Sequence, residues 1–218
     1  MRLKIKVCCI SSIDEANLAI AAGADALGLV GKMPSGPGPI SDELIYAIAQ
    51  SVAPPVSTFM LTSETSAAQI VEHYKRTFTN TIQMVDTLTT GSYQDIRKVL
   101  PHVKIVQVIH VIDEQSIDEA LCIADFVDAL LLDSGNPNAA VKELGGTGRI
   151  HNWQLSKKIV EQSPVPVFLA GGLHAGNVRE AIEQVNPYGV DLCSGVRTNG
   201  KLDSIKLREF VNAVSSAW

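Results

Sequence analysis

Aromatic residues are scarce in this chain, 5% of 218 positions, and neither sign of charge dominates strongly. The formal net charge of −5 offers no general attraction to nucleic acid or to an anionic lipid surface. No apolar run approaches the roughly 18 residues that a membrane span needs. The opening segment, Met1-Arg2-Leu3-Lys4-Ile5-Lys6, alternates charged with apolar residues and reads as a strand, not as a signal peptide. Cysteine is limited to Cys8, Cys9, Cys122 and Cys193, with no CxxC and no metal-ligand spacing. Because two of the four are adjacent, neither a simple disulfide framework nor a structural zinc is expected, and a reducing cytoplasm is the expected setting. Linkers and low-complexity tracts are also missing, so residues 1–218 are expected to form one domain.

What the chain does have is Val, Ile, Leu and Ala, within a hydrophobic share of 46%. That composition suits strands buried on both faces beneath amphipathic helices. Short apolar runs predict strands over 4–10, 26–31, 56–62, 81–86, 104–111, 129–133, 167–172 and 189–196. Helical patterns fall between and after them, over 13–22, 42–51, 66–76, 93–100, 117–124, 153–161, 177–184 and 203–214. Capping-box spacing marks two helix starts, Ser12 with Glu15 and Ser116 with Glu119. Eight strands, each followed by a helix, is the count of a closed (β/α)8 TIM barrel, with an open doubly wound sheet as the alternative. In a barrel, chemistry sits at the C-terminal ends of the strands. Here those ends carry Cys8, Lys32, Asp86, His110, Asp133, Gly171 and Ser194.

Three glycine-marked turns follow apolar runs in the last third of the chain: Gly145-Gly146-Thr147-Gly148, Ala170-Gly171-Gly172 and Cys193-Ser194-Gly195. Each is weak alone, since Gly-Gly also simply marks turns. Together, at the loops after strands six to eight, they predict a phosphate site built from backbone amides and helix N-termini. Its candidate residues are Gly146, Thr147, Gly148, Gly171, Gly172, Ser194 and Gly195. The sequence also leaves room for a short extra helical turn after Ser194-Gly195.

Cys8 and Lys6 share a face of the first strand, about 7 Å apart. A nearby ammonium lowers a thiol pKa and raises its thiolate fraction. The plainer alternative is that Cys8 and Cys9 are small core fillers. Asp133 ends an otherwise apolar strand, where a carboxylate is expensive unless it is paired or functional. A carboxylic acid beside a thiolate would make an acid/base pair. Lys6, Lys32 and Asp191 are the candidate contacts to the remainder of a substrate, although Asp86 and Asp191 also fit as structural acids held by backbone amides. His110 and His151 read as polar loop residues. Arg149 and Arg197 either support a phosphate or lie on the surface. The loop 33–39, Met-Pro-Ser-Gly-Pro-Gly-Pro, is too rich in Gly and Pro for helix or strand and reads as a shaped active-site loop.

Taken together, these motifs resemble the phosphoribosylanthranilate isomerase family of tryptophan biosynthesis, nearly end to end. Lys6-Val7-Cys8-Cys9-Ile10 is similar to the family's Lys-Ile-Cys-Gly-Ile, and Ala22 to Gly28 to its Gly-Ala-Asp-Ala-Val-Gly stretch. Leu131-Leu132-Asp133-Ser134, Gly145 to Gly148 through Asn152-Trp153, Leu169 to Leu173 and Val190 to Val196 complete the likeness. The resemblance implies Cys8 as general base, Asp133 as general acid, and an Amadori rearrangement of N-(5-phosphoribosyl)anthranilate. It implies no metal and no organic cofactor, a small phosphorylated sugar as the partner, and a monomer or homodimer.

Three departures stand out. The family's arginine in the loop after strand two is missing from Pro34-Ser35-Gly36-Pro37-Gly38-Pro39. Its Gln-Leu-His-Gly becomes Gln83-Met84-Val85-Asp86, and the glycine after the catalytic cysteine becomes Cys9. The altered aryl-carboxylate end leaves two alternatives open: an isomerase acting on another phosphorylated sugar, and a non-catalytic sugar-phosphate binder.

Overall fold

Side chains that alternate between two apolar environments build this chain as a ring of strands within a ring of helices. The computed structural model describes residues 2–146 and 148–216. Eight parallel strands close on themselves in sequence order: β1 (Lys4–Val7), β2 (Ala26–Val30), β3 (Ser57–Thr62), β4 (Thr81–Met84), β5 (Lys104–His110), β6 (Ala129–Asp133), β7 (Val167–Leu169) and β8 (Gly189–Leu192). The ring is sealed where β1 pairs with both β2 and β8, with Lys6 opposite Ala26 on one side and Asp191 on the other. The outer helices are α1 (Ile13–Ala21), α2 (Asp42–Ser51), α3 (Ala67–Thr77), α4 (Tyr93–Val99), α5 (Gln115–Ala124), α6 (Trp153–Gln162), α7 (Val178–Val185) and α8 (Ser204–Ser215). None of the described helices is long and apolar enough to cross a membrane.

The strand period of two divides the apolar residues between two clusters. Ala26, Val30, Phe59, Leu61, Val106 and Val108 fill the barrel interior. Their strand neighbours Leu27, Leu29, Met60, Ile105 and Ile109 face the helical layer. At the interior floor Phe59 and Phe168 meet edge-on with centroids 6.2 Å apart, and the Lys6 ammonium lies 5.3 Å from the Phe59 ring centre.

The regular strands are shorter than their apolar runs, and the difference matters for the site. β1 ends at Val7, β4 at Met84, β7 at Leu169 and β8 at Leu192. Cys8, Asp86, Gly171, Gly172 and Ser194 therefore stand just beyond the ends of the regular strands.

One helix start follows its capping signal and the other does not. Ser12 Oγ accepts from the Glu15 N–H, as the spacing predicts, while the Glu15 carboxylate reaches back to the Ser11 N–H. The Ser116–Glu119 box is absent: α5 already begins at Gln115, and Ser116 Oγ instead accepts from the N–H groups of Ile112 and Asp113. A reciprocal capping box forms at α4, between Ser92 and Asp95.

Candidate active site

Loops at the C-terminal end of the barrel enclose a cleft of about 740 Å³, counting its open mouth. Cys8, Asp133 and Asp191 share its wall with apolar side chains of the interior, including Val30, Leu61, Val85, Val108 and Leu131. Gly146, Gly148, Gly171, Gly172 and Ser194 line the β7–β8 side. Thr147 lies outside the described residues. Gly195 sits behind Ser194 in a 3-10 turn, Ser194–Val196, the extra helical turn for which the sequence leaves room. Asn177 fastens the neighbouring loop: its Nδ2 donates to Gly172 O at 3.0 Å, and its Oδ1 accepts from the His174 N–H at 2.8 Å.

Cys8 follows β1 directly, and its N–H donates to Leu192 O across the closing seam. Space for its sulfur depends on Gly28, where a Cβ would come within 2.6 Å of Cys8 Sγ and 3.1 Å of Lys6 Nζ. Lys6 is fully buried beneath the cleft and its Nζ donates a hydrogen bond to Asp191 Oδ1 at 2.9 Å. Burial pulls the Lys6 pKa down, but the Asp191 carboxylate and, after it, the Cys8 sulfur more than offset it, so the ammonium stays charged. Contrary to expectation, Lys6 does not make Cys8 acidic. Lys6 does lower the thiol pKa, yet burial, with help from Asp191 and Asp133, pushes it up to about 11. Asp133 accepts a hydrogen bond from the Ser134 N–H at 2.7 Å. Gly145, at φ +137°, leaves its other oxygen free of a clash: a Cβ there would stand 2.8 Å from Asp133 Oδ2.

The cysteine expectation also needs correction. Cys9 and Cys193 form a disulfide with Cα atoms 6.0 Å apart, although 184 residues separate them in sequence. Adjacent cysteines suggest no pairing until the barrel closes and brings the loop after β1 against the loop after β8. Cys9 adopts φ +62°, a left-handed backbone at the position of the family's glycine.

Arg197 is not a surface residue: its side chain is 8% exposed, and it bonds Glu15 and the carbonyls of Cys8 and Cys9. Burial alone would raise the Glu15 pKa, but the Arg197 hydrogen bonds and the Leu202 and Ser11 N–H groups hold it below the usual carboxylate range. Asp86 is likewise paired, with Lys142 Nζ 2.5 Å from its Oδ2. Ser35 Oγ donates to Lys142 O at 2.6 Å and so ties the Gly/Pro loop to the loop after β6. Lys32 is exposed, outside the lining of the cleft. Sequence reasoning missed the roles of Lys142, Glu15 and Arg197, because partners 56 and 182 residues apart leave no local pattern.

The model of the N-(5'-phosphoribosyl)anthranilate isomerase family matches residues 5–213 of this chain. The chain belongs to that family. N-(5'-phosphoribosyl)anthranilate isomerase 2 of Methanosarcina mazei is 37% identical over an alignment covering 96% of this chain and 93% of the relative. The isomerase of Methanosarcina acetivorans is 33% identical, covering 100% of this chain and 95% of that protein. Among solved structures, the isomerase of Pyrococcus furiosus superposes with a TM-score of 0.81 at 26% identity, over 99% of this chain and 100% of the other. In this member of the isomerase family, two long-range pairs join loops at the C-terminal end of the barrel. Cys9 and Cys193 are joined to each other, and Asp86 is joined to Lys142.

Proposed function

We propose that this chain is a phosphoribosylanthranilate isomerase, with Cys8 as base and Asp133 as acid. The observation that carries the reading is the placing of these two groups in one cleft, with glycine-rich backbone along its β7–β8 side. The phosphate lies against Gly146, Gly148, Gly171, Gly172 and Ser194, where strand-end amides suit an anion. Gly195 belongs to the Ser194 turn, and Thr147 joins the proposal only by its sequence position between Gly146 and Gly148.

Asp133, as the carboxylic acid, gives its proton to the ribose ring oxygen. The C1–O bond breaks and the nitrogen lone pair forms the C1=N iminium. Cys8 thiolate then removes the C2 proton, and the freed electron pair makes the C1=C2 enolamine. Loss of the enol proton and protonation of C1 give the 1-deoxyribulose product, so the reaction balances as an isomerisation.

Thiolate plus carboxylic acid differs from thiol plus carboxylate only in where one proton sits. With its pKa held at about 11, Cys8 is almost wholly thiol at neutral pH, and thiolate forms readily only when positive charge appears near it. The buried Lys6 ammonium supplies part of that charge, and the iminium supplies the rest at the step that needs it.

The test is turnover of freshly generated phosphoribosylanthranilate, read as loss of its fluorescence. Cys8→Ala and Asp133→Asn are each expected to lower kcat by about 10²–10⁴-fold. A wild-type protein that binds a phosphosugar without turning over this substrate overturns the reading. That outcome favours the alternative suggested by the missing loop arginine, a different phosphorylated sugar.

A further inference from the structure

Two buried glutamines on neighbouring strands of the barrel have opposite fates. Gln107 on β5 is fully engaged: its Nε2 donates to the carbonyls of Met84, Asp86 and Val108, and its Oε1 accepts from Tyr93 OH at 3.0 Å. Gln83 on β4 is 2% exposed and lines the cleft, yet its Oε1 is buried without a hydrogen-bond partner among the described residues. In register it stands between Leu61 on β3 and Val106 on β5, whose side chains offer no donor. A buried amide oxygen with nothing to accept from is costly, unlike the structural glutamine beside it. An orphan of this kind in a ligand cleft points to a ligand donor.

The order of the barrel limits which donor that is. Phosphate-compatible turns follow β6, β7 and β8; Cys8 follows β1 and Asp133 ends β6. β4 lies across the closed ring from β8. Around Gln83 the cleft wall is Leu61, Val85, Val108 and Leu131, a surface suited to a flat apolar ring. A sugar phosphate anchored at β7–β8, with C1 and C2 between Cys8 and Asp133, directs its aglycone toward β4. The first donor it presents there is the nitrogen joining sugar to ring.

We propose that Gln83 is a specificity-determining residue of the cleft whose Oε1 accepts the hydrogen on the bridging nitrogen of the substrate, an inference that rests on the isomerase reading above. The contact holds the C1–N bond over the acid/base pair. Because the nitrogen keeps its hydrogen when the iminium forms, the bond becomes charge-assisted in that state and strengthens as the ring opens. Gln83 thereby selects arylamine glycosides over sugar phosphates whose bridging atom carries no hydrogen.

The experiment compares two stable product analogues, the reduced 1-(2-carboxyphenylamino) compound and its counterpart with an ether oxygen in place of the bridging N–H. Affinities are measured for wild type and for Gln83→Met, with ribose 5-phosphate as a probe of the phosphate end and thermal melting as a check on folding. Wild type is expected to prefer the N–H analogue by about tenfold, the scale of one hydrogen bond. Gln83→Met is expected to bind both alike while holding ribose 5-phosphate as wild type does. Preference surviving in the variant, or no preference in wild type, overturns the proposal, as does equal weakening of all three ligands. If the variant does not fold, Gln83→Glu serves: its carboxylate still accepts, so retained preference supports the contact and its loss overturns it. Absence of wild-type turnover counts against the isomerase reading alone, since the analogue comparison is read by binding.

Discussion

Lys6 Nζ lies 2.9 Å from Asp191 Oδ1 at the base of the cleft, with the lysine wholly buried and the aspartate side chain 9% exposed. A charge pair this deep is maintained by mutual attraction against a large desolvation penalty. Removing one partner leaves the other charged and alone. Asp191→Asn is therefore expected to lower unfolding free energy by about 3–5 kcal/mol in urea titrations. Lys6→Met combined with Asp191→Asn is expected to recover part of that loss, because no unpaired charge remains. Strictly additive losses in the double variant would show that the two groups are not coupled.

Much of this arrangement is legible in the sequence, and the rest fails for identifiable reasons. Strand order, the barrel and the rim positions of Cys8 and Asp133 follow from local apolar periodicity. Lys6 and Cys8 are near each other because residues two apart share a strand face. Their net effect is not local: the burial that outweighs Lys6 comes from Gly28 and the surrounding barrel wall. Pairings such as Cys9 with Cys193, Glu15 with Arg197 and Asp86 with Lys142 are made by ring closure. No spacing rule announces them.

The Cys8 titration gives a direct check. With exposed Cys122 replaced by serine and the disulfide intact, iodoacetamide alkylates Cys8 at a rate proportional to its thiolate. That rate is expected to climb about tenfold per pH unit from neutrality and to level off only at about 11. A plateau below pH 8.5 would show that Lys6 outweighs burial. The same shift affects stability with a definite sign. A thiol raised from 9.0 to about 11 contributes fully below pH 9, and its contribution is lost as pH rises through 11.

The Cys9–Cys193 link makes a redox prediction. Of four cysteines, only Cys8 and Cys122 are free, so denatured oxidised protein should show two reactive thiols and reduced protein four. A cross-link spanning 184 residues restricts the unfolded chain strongly. Reduction is expected to lower stability by roughly 2–5 kcal/mol. Cys193 immediately precedes Ser194 at the proposed phosphate end, so reduction should raise KM for a phosphorylated substrate more than it lowers kcat. Cys193→Ser should behave like the reduced enzyme and ignore added dithiothreitol. Identical KM values in both redox states would separate the link from phosphate binding.

His151 supplies a test at acid pH. Its Nε2 lies 2.7 Å from Ser156 Oγ, while its Nδ1 is buried without a partner among the described residues. Burial drives its pKa down to about 4, against the pull of the Asp133 charge. An imidazole whose folded pKa is depressed contributes fully above its unfolded value of 6.5, and the contribution is lost as pH falls through 4. The shift corresponds to at most about 3 kcal/mol. The His151 Hε1 resonance should therefore stay in its neutral position down to pH 5. In His151→Phe, the part of the acid destabilisation between pH 6.5 and 4 that comes from this ring should vanish. A His151 midpoint near 6.5 would mean that the loop after β6 opens to water, which would also loosen the wall beside Asp133.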